Sequence, residues 1–261
     1  MAALSRPKGG FGTLDYWNCA FEDGGEFEEP FDWLASWQDL REEVTALLPN
    51  KDAQILIPGC GNAPFQLDMY DAGYTNIVCG DNSEIVIGQM QVASDSAGRR
   101  LQWDLMDVTR MPYENCSFQA VIDKSLIDCL HCCDGATQVL RSYLDEVFRI
   151  LAPGGLFVAV SCHSRPSMKA TLRGRSWQTR VDVFGASDEK PLGRASGAGA
   201  ETELTLSVCI KESPVAVIAG SSSSKTLSMG KTLADRKKAQ KNAQKMERRM
   251  LQASLEEASL T

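Results

Sequence analysis

The segment Gln54-Ile-Leu-Ile-Pro-Gly-Cys-Gly-Asn62 decides the reading of this chain: a short apolar run breaks into a turn holding Gly59 and Gly61. A strand entering a glycine-rich turn lets a ligand approach the backbone, and the helix that follows favours anionic groups at its N-terminus. The pattern recurs downstream. Asn76-Ile-Val-Cys79 ends at Gly80-Asp81, Leu101 to Met106 ends at Asp107, and Phe118-Gln-Ala-Val-Ile122 ends at Asp123. A fifth strand is expected from Leu156 to Cys162, after the turn Pro153-Gly154-Gly155.

Helical spacing separates these runs. Trp33, Trp37, Leu40, Val44, Leu47 and Leu48 predict a helix from about Phe31 to Leu48, stopped by Pro49. Pro64 to Ala72 and Ser83 to about Ala93 read as helices, and Val139 to Leu151 as a strongly amphipathic one. Apolar strands that alternate with helices indicate a parallel sheet covered on both faces. Trp177 to Phe184 and Glu203 to Ile210 alternate in part, which predicts a closing antiparallel hairpin around a Gly/Ala-rich loop at 185–200. The expected fold is therefore α/β: Rossmann-like and doubly wound, with a mostly parallel seven-stranded sheet and an antiparallel C-terminal hairpin. Four segments are expected, at 1–30 (a covering segment), 31–212 (the α/β domain), 213–230 (a Ser-rich linker) and 231–261 (a basic helical tail).

Such sheets bind ligands beyond the carboxyl ends of their strands. Asp81 stands 20 residues past Gly61, where a carboxylate can accept both hydroxyls of a ribose. Nicotinamide and S-adenosylmethionine enzymes share that device. Pro64 stands where a dinucleotide fingerprint wants its third glycine. Asp107, after the third strand, can accept an adenine amino hydrogen.

In order, the motifs I-L-I-P-G-C-G-N, V-C-G-D-N-S, D-V-T-R-M-P-Y, F-Q-A-V-I-D-K-S-L-I-D and L-A-P-G-G-L-F-V resemble a class I S-adenosylmethionine-dependent methyltransferase over about residues 10–212. Within that superfamily the chain is similar to the protein-lysine methyltransferases of elongation factor 1-alpha, the methyltransferase-like 13 group. The similarity rests on Phe11-Gly-Thr-Leu-Asp-Tyr-Trp17, on Pro30-Phe-Asp-Trp33 and on the fourth-strand exit Asp123-Lys124-Ser125-Leu126-Ile127-Asp128. That exit keeps the acid, the Lys and the final Asp of the group's acid-Lys-Gly-Thr-Leu-Asp and departs from it at Ser125-Leu126-Ile127. The resemblance implies cofactor contacts at Trp17, Phe21, Trp33, Gly59, Cys60, Gly61, Asp81, Asn82, Asp107, Val108 and Lys124. It also implies a protein substrate such as elongation factor 1-alpha. Asp123 is the expected residue orienting the acceptor amine. A small-molecule methyltransferase and a non-catalytic binding protein are the rival readings.

The charge divides unevenly. The formal net charge is −7, but residues 221–261 hold nine basic and four acidic residues, which leaves 18 and 30 for the rest. An acidic body suits a cationic partner, whereas the basic tail suits a ribosome, RNA or an acidic partner. The Met1–Lys8 start has no apolar core and no run of 18 apolar residues occurs, so neither a signal peptide nor a membrane span is expected. Nine cysteines, several in apolar runs, fit a reducing cytosolic or nuclear address, and a cytoplasmic one is expected. The crowded Cys129-Leu-His131-Cys132-Cys133 lacks the paired spacing of a zinc site, and no metal is expected.

Overall fold

In the computed structural model, strand runs and helices alternate as α1 (Leu14–Phe21), α2 (Trp37–Leu47), β1 (Ile55–Pro58), α3 (Phe65–Asp71), β2 (Ile77–Asp81), α4 (Glu84–Ser96) and β3 (Gln102–Leu105). There follow β4 (Phe118–Lys124), α5 (Leu126–Leu130), α6 (Ala136–Ile150), β5 (Leu151–Ser161), α7 (Arg165–Thr171), β6 (Trp177–Phe184) and β7 (Leu204–Lys211). The structure describes residues 10–184 and 204–213. The expected loop at 185–200, the Ser-rich linker and the basic tail lie outside the described residues.

The strands form one sheet in the order β3-β2-β1-β4-β5-β7-β6. β3, β2, β1, β4 and β5 run parallel, and β7 is antiparallel to both of its neighbours, β5 and β6. The strand order reverses between β1 and β4, which opens a crevice above their C-terminal ends.

Alternate strand residues face opposite layers, as the two-residue period of a strand requires. Ile55, Ile57, Cys79, Ile122 and Val160 pack under α2 and α3. Leu56, Val78, Val121, Phe157 and Ala159 pack under α6, together with its Tyr143, Leu144 and Val147. β3 is the exception to the buried-strand pattern. It is an edge strand, with Leu105 exposed and Trp103 Nε1 tied to Ser94 Oγ of α4 at 2.9 Å.

Two expected boundaries move. The helix read from Phe31 begins at Trp37, because Ser36 and Asp39 form a reciprocal capping box. Trp33 therefore leaves the helix and joins a loop. β5 starts at Leu151 rather than Leu156, and Pro153-Gly154-Gly155 becomes an irregularity within the strand, where the register against β4 shifts. The unforeseen α1, α5 and α7 have eight, five and seven residues.

Candidate cofactor site

A cavity of about 290 Å³ opens over the C-terminal ends of β1, β2 and β4. Its floor is the turn after β1. Gly59 and Gly61 there adopt φ of +60° and +52°, a left-handed conformation that only glycine enters cheaply. A Cβ at Gly59 would come within 2.8 Å of the Leu126 side chain, so the turn passes beneath α5 with no space to spare.

Asp81 ends β2 and is buried. Its Oδ2 accepts the Gly61 N–H at 3.0 Å and its Oδ1 accepts the Ser83 N–H at 3.0 Å. One carboxylate thus fixes both the glycine turn and the start of α4. Burial pushes its pKa up, while the backbone N–H groups of Ser83, Gly61 and Asn82 oppose that shift. Each oxygen keeps a lone pair for a ligand hydroxyl. Asp107 lies further along the rim, with Oδ1 accepting the Thr109 N–H at 2.8 Å and its hydroxyl at 2.7 Å. Asn82 and Val108 line the same wall.

The roof is the segment before α2. Trp17 stacks on Phe21 with ring centroids 5.6 Å apart, and Trp33 meets Phe11, Phe27 and Phe31 edge-on at 5.2 to 5.8 Å. Four side chains from the body hold this segment down. Asn62 Nδ2 donates to the Phe27 and Glu29 carbonyls at 2.7 and 3.0 Å. Ser83 Oγ donates to Asn18 at 2.7 Å and Gln89 Nε2 to the Phe21 carbonyl at 2.9 Å. Lys124 Nζ, at the end of β4, reaches the Trp33 carbonyl at 3.1 Å and Asp32 Oδ1 at 3.0 Å. Burial pulls the Lys124 amine down and the Asp32 carboxylate opposes that.

The structure gathers Trp17, Phe21, Trp33, Gly59, Cys60, Gly61, Asp81, Asn82, Asp107, Val108 and Lys124 around one cavity. Asp123 is set apart from them. It is fully buried and does not line the cavity; its Oδ1 accepts the Leu126 N–H at 2.9 Å and its Oδ2 the Tyr143 hydroxyl at 2.8 Å. It pins α5 and α6 to the sheet, so in this geometry no acceptor amine touches it. Burial pushes its carboxyl up to about 7, against hydrogen bonds from Tyr143 and α5.

A raised carboxyl pKa means that the folded state holds the proton more tightly than the unfolded chain. The stability from this group is therefore present below about pH 4, the unfolded value, and is lost as pH rises through about 7. Asp123→Asn removes that titration. Melting temperatures from pH 4 to 8 should fall less for the variant than for the native chain. Parallel curves would show that Asp123 does not titrate there.

Several lining residues escaped the sequence reading. Phe11 and Phe31 stand at the rim and Thr13 beside them. Thr13 also caps α1, accepting the Tyr16 N–H at 3.4 Å, and the cap followed by Leu14, Trp17 and Phe21 was the signal available. On the face of α5 away from the cavity, Asp128 Oδ1 accepts the Ser161 hydroxyl at 2.6 Å and lies 3.6 Å from His163 Nε2. The His131 and His163 rings are 4.2 Å apart. Among the described residues, no group of three His, Cys, Asp or Glu side chains is arranged to hold a metal.

Ser125, in the fourth-strand exit, has φ of +71°, which is strained for any residue with a Cβ. Ser125→Gly should raise unfolding stability by about 0.5–1 kcal/mol, the left-handed strain relieved less the extra freedom of glycine in the unfolded chain. Denaturant titration measures this. A loss of stability would show that the serine side chain compensates its own strain.

Residues 55–155 match the family model described as a methyltransferase domain. The chain is 30% identical over 198 residues to the eEF1A lysine and N-terminal methyltransferase of Bos taurus, an alignment covering 74% of this chain and 28% of that protein. It is 26% identical to the EEF1A lysine methyltransferase 4 of Mus musculus, over 57% of this chain and 60% of that one. The chain therefore spans just over a quarter of the first relative's length. Among solved structures, a protein from Pyrococcus horikoshii superposes with a TM-score of 0.54 at 14% identity, covering 67% of this chain and 89% of that chain. At that identity the likeness concerns the fold.

Proposed function

We propose that this chain, whose residues 55–155 match a methyltransferase-domain model, binds S-adenosylmethionine in the cavity above β1, β2 and β4 and methylates a lysine side chain of a protein. The observation that carries this reading is the convergence of the left-handed Gly59–Gly61 turn, the Asp81 carboxylate and the aromatic roof on one cavity. Those features fit the cofactor. Its nucleoside hydroxyls find an acceptor in Asp81, its adenine amino group finds one in Asp107, and the glycine turn admits its amino-acid arm close to the backbone. Trp17 and Trp33 line the cavity, and a sulfonium is attracted to the face of an aromatic ring.

When bound, the cofactor supplies a methyl group activated by the positive sulfur. The chain's residues have three tasks. They hold the donor for in-line attack, they exclude water, and they leave the acceptor amine unprotonated. With a reference pKa of about 10.4, roughly one lysine amine in a thousand is neutral near pH 7.4. A rim of aromatic side chains disfavours the ammonium form by desolvation. Asp123 acts at a distance in this scheme, by setting α5 and therefore the wall formed by Ser125 and Leu126.

The relatives' names support elongation factor 1-alpha as a candidate substrate, and the nine free thiols fit the reducing cytoplasm. The test is transfer of label from methyl-labelled cofactor into a cell lysate, with mass spectrometry of the labelled species. Label on a protein lysine is the expected result. Label confined to small metabolites would replace the lysine reading by a small-molecule one. No uptake of cofactor in calorimetry would remove the enzymatic reading altogether.

A further inference from the structure

The cavity mouth has an unusual surface. Among the described residues, six large hydrophobic side chains are exposed, and three of them, Phe11, Leu14 and Phe31, belong to the roof segment. Phe11 is 42% exposed and Phe31 43%, yet both also line the cavity. They form a lip, with one side turned to the cofactor space and the other to solvent. Exposed aromatic surface continuous with a binding cavity marks a place where a partner completes the wall.

The charge along that segment has one sign. Between Gly10 and Trp33 the chain has seven acidic residues and no basic one. Asp15, Glu22, Asp23, Glu26, Glu28 and Glu29 are all exposed. Contacts of Tyr16 and Asn62 fix their placement. Tyr16, whose ring lies 5.2 Å from Phe11, donates its hydroxyl to Glu26 at 3.1 Å. Asn62, on the cavity wall, holds the chain at Phe27 and Glu29. The acidic stretch is thereby fastened along the cavity edge.

We infer that this aromatic, acidic lip is a docking surface for a basic segment of a protein, whose lysine passes between Phe11 and Phe31 into the cavity. The inference deepens the lysine-transfer reading and rests on it. Charge complementarity selects the occupant: a single-sign acidic rim raises the encounter rate of cationic segments and repels nucleic acid. The aromatic side chains then accept the lysine's aliphatic stem.

Binding of two synthetic peptides, each with one lysine, tests this on the full chain loaded with S-adenosylmethionine. One peptide has arginines flanking the lysine, the other glutamates. The native chain should bind the arginine-flanked peptide at least about tenfold tighter at low salt, a preference that shrinks as salt screens the rim. The variant Glu22→Lys, Asp23→Lys, Glu29→Lys should lose that preference while its calorimetric affinity for the cofactor stays within about twofold. Equal binding of both peptides by the native chain overturns the inference, as does a variant that keeps the preference. Label appearing on the chain's own tail, with weak binding of both peptides, assigns the surface to the tail and also overturns it. If the preference appears but neither lysine is labelled, the docking surface stands and the lysine-transfer reading fails.

Discussion

Asp81→Ala should raise the dissociation constant for S-adenosylmethionine by about 100-fold or more. The carboxylate sits at the end of β2, buried, and already organises the Gly61 and Ser83 amides. Its free lone pairs face the cavity. Charge-assisted hydrogen bonds contribute about 1.5–3 kcal/mol each, and tenfold in affinity corresponds to about 1.4 kcal/mol, so the loss of a bidentate acceptor reaches 100-fold. The alanine also leaves the Gly61 and Ser83 N–H groups without their acceptor, at about 1–3 kcal/mol of folding stability. Asp81→Asn separates the two effects, because the amide oxygen keeps one acceptor and loses the charge. Its affinity should fall between those of the native chain and the alanine variant. Calorimetry giving Asp81→Ala within threefold of the native chain would remove Asp81 from the cofactor site.

The second large effect is expected at Lys124. Its side chain is 6% exposed and that of Asp32 16%, so the pair is mostly withdrawn from water. Removing one partner of a buried pair costs about 3–5 kcal/mol; the residual access of Asp32 to water lowers the figure here to about 2. Lys124→Met should take that from stability and also release the Trp33 carbonyl, loosening the roof. Cofactor should then dissociate at least about tenfold faster, and the fluorescence of Trp17 and Trp33 should shift toward that of exposed indole. Asp32→Asn combined with Lys124→Met should recover part of the stability, since no lone charge remains buried. Strain at both ends of the clamp supports the assignment. Leu34, two residues past Asp32, and Ser125, next to Lys124, adopt φ of +62° and +71°. Non-glycine residues persist in that region only where the surroundings hold them. An unchanged dissociation rate in Lys124→Met would reduce the pair to a stabilising contact.

Much of the fold was legible along the chain. Gly59, Gly61, Asp81 and Asp107 were readable because each follows an expected strand, and a parallel sheet places its strand ends together whatever the details of packing. The start of α2 was misread because Trp33 keeps the helical spacing of Trp37, Leu40 and Val44. The stronger signal was the capping pair Ser36 and Asp39, which is local and present in the sequence. Lys124 was legible as a site residue but its partner was not, because Asp32 lies far away in sequence.

Asp123 and Lys124 show where sequence stops deciding. The two-residue period of β4 is fixed locally: Val121 and Asp123 point one way, Ile122 and Lys124 the other. Which layer each direction meets is settled by the packing of distant elements. The Val121 side of the sheet carries α6, so Asp123 is sealed against Tyr143. Lys124 emerges on the other face, beneath the aromatic roof, and pairs with Asp32. The sequence by itself determined an acid and a lysine at a strand end; only the tertiary structure decided that the acid is sealed beneath a helix and the lysine lines the cavity. The reason is that a strand's alternation sets relative direction, while burial depends on which helix covers each face.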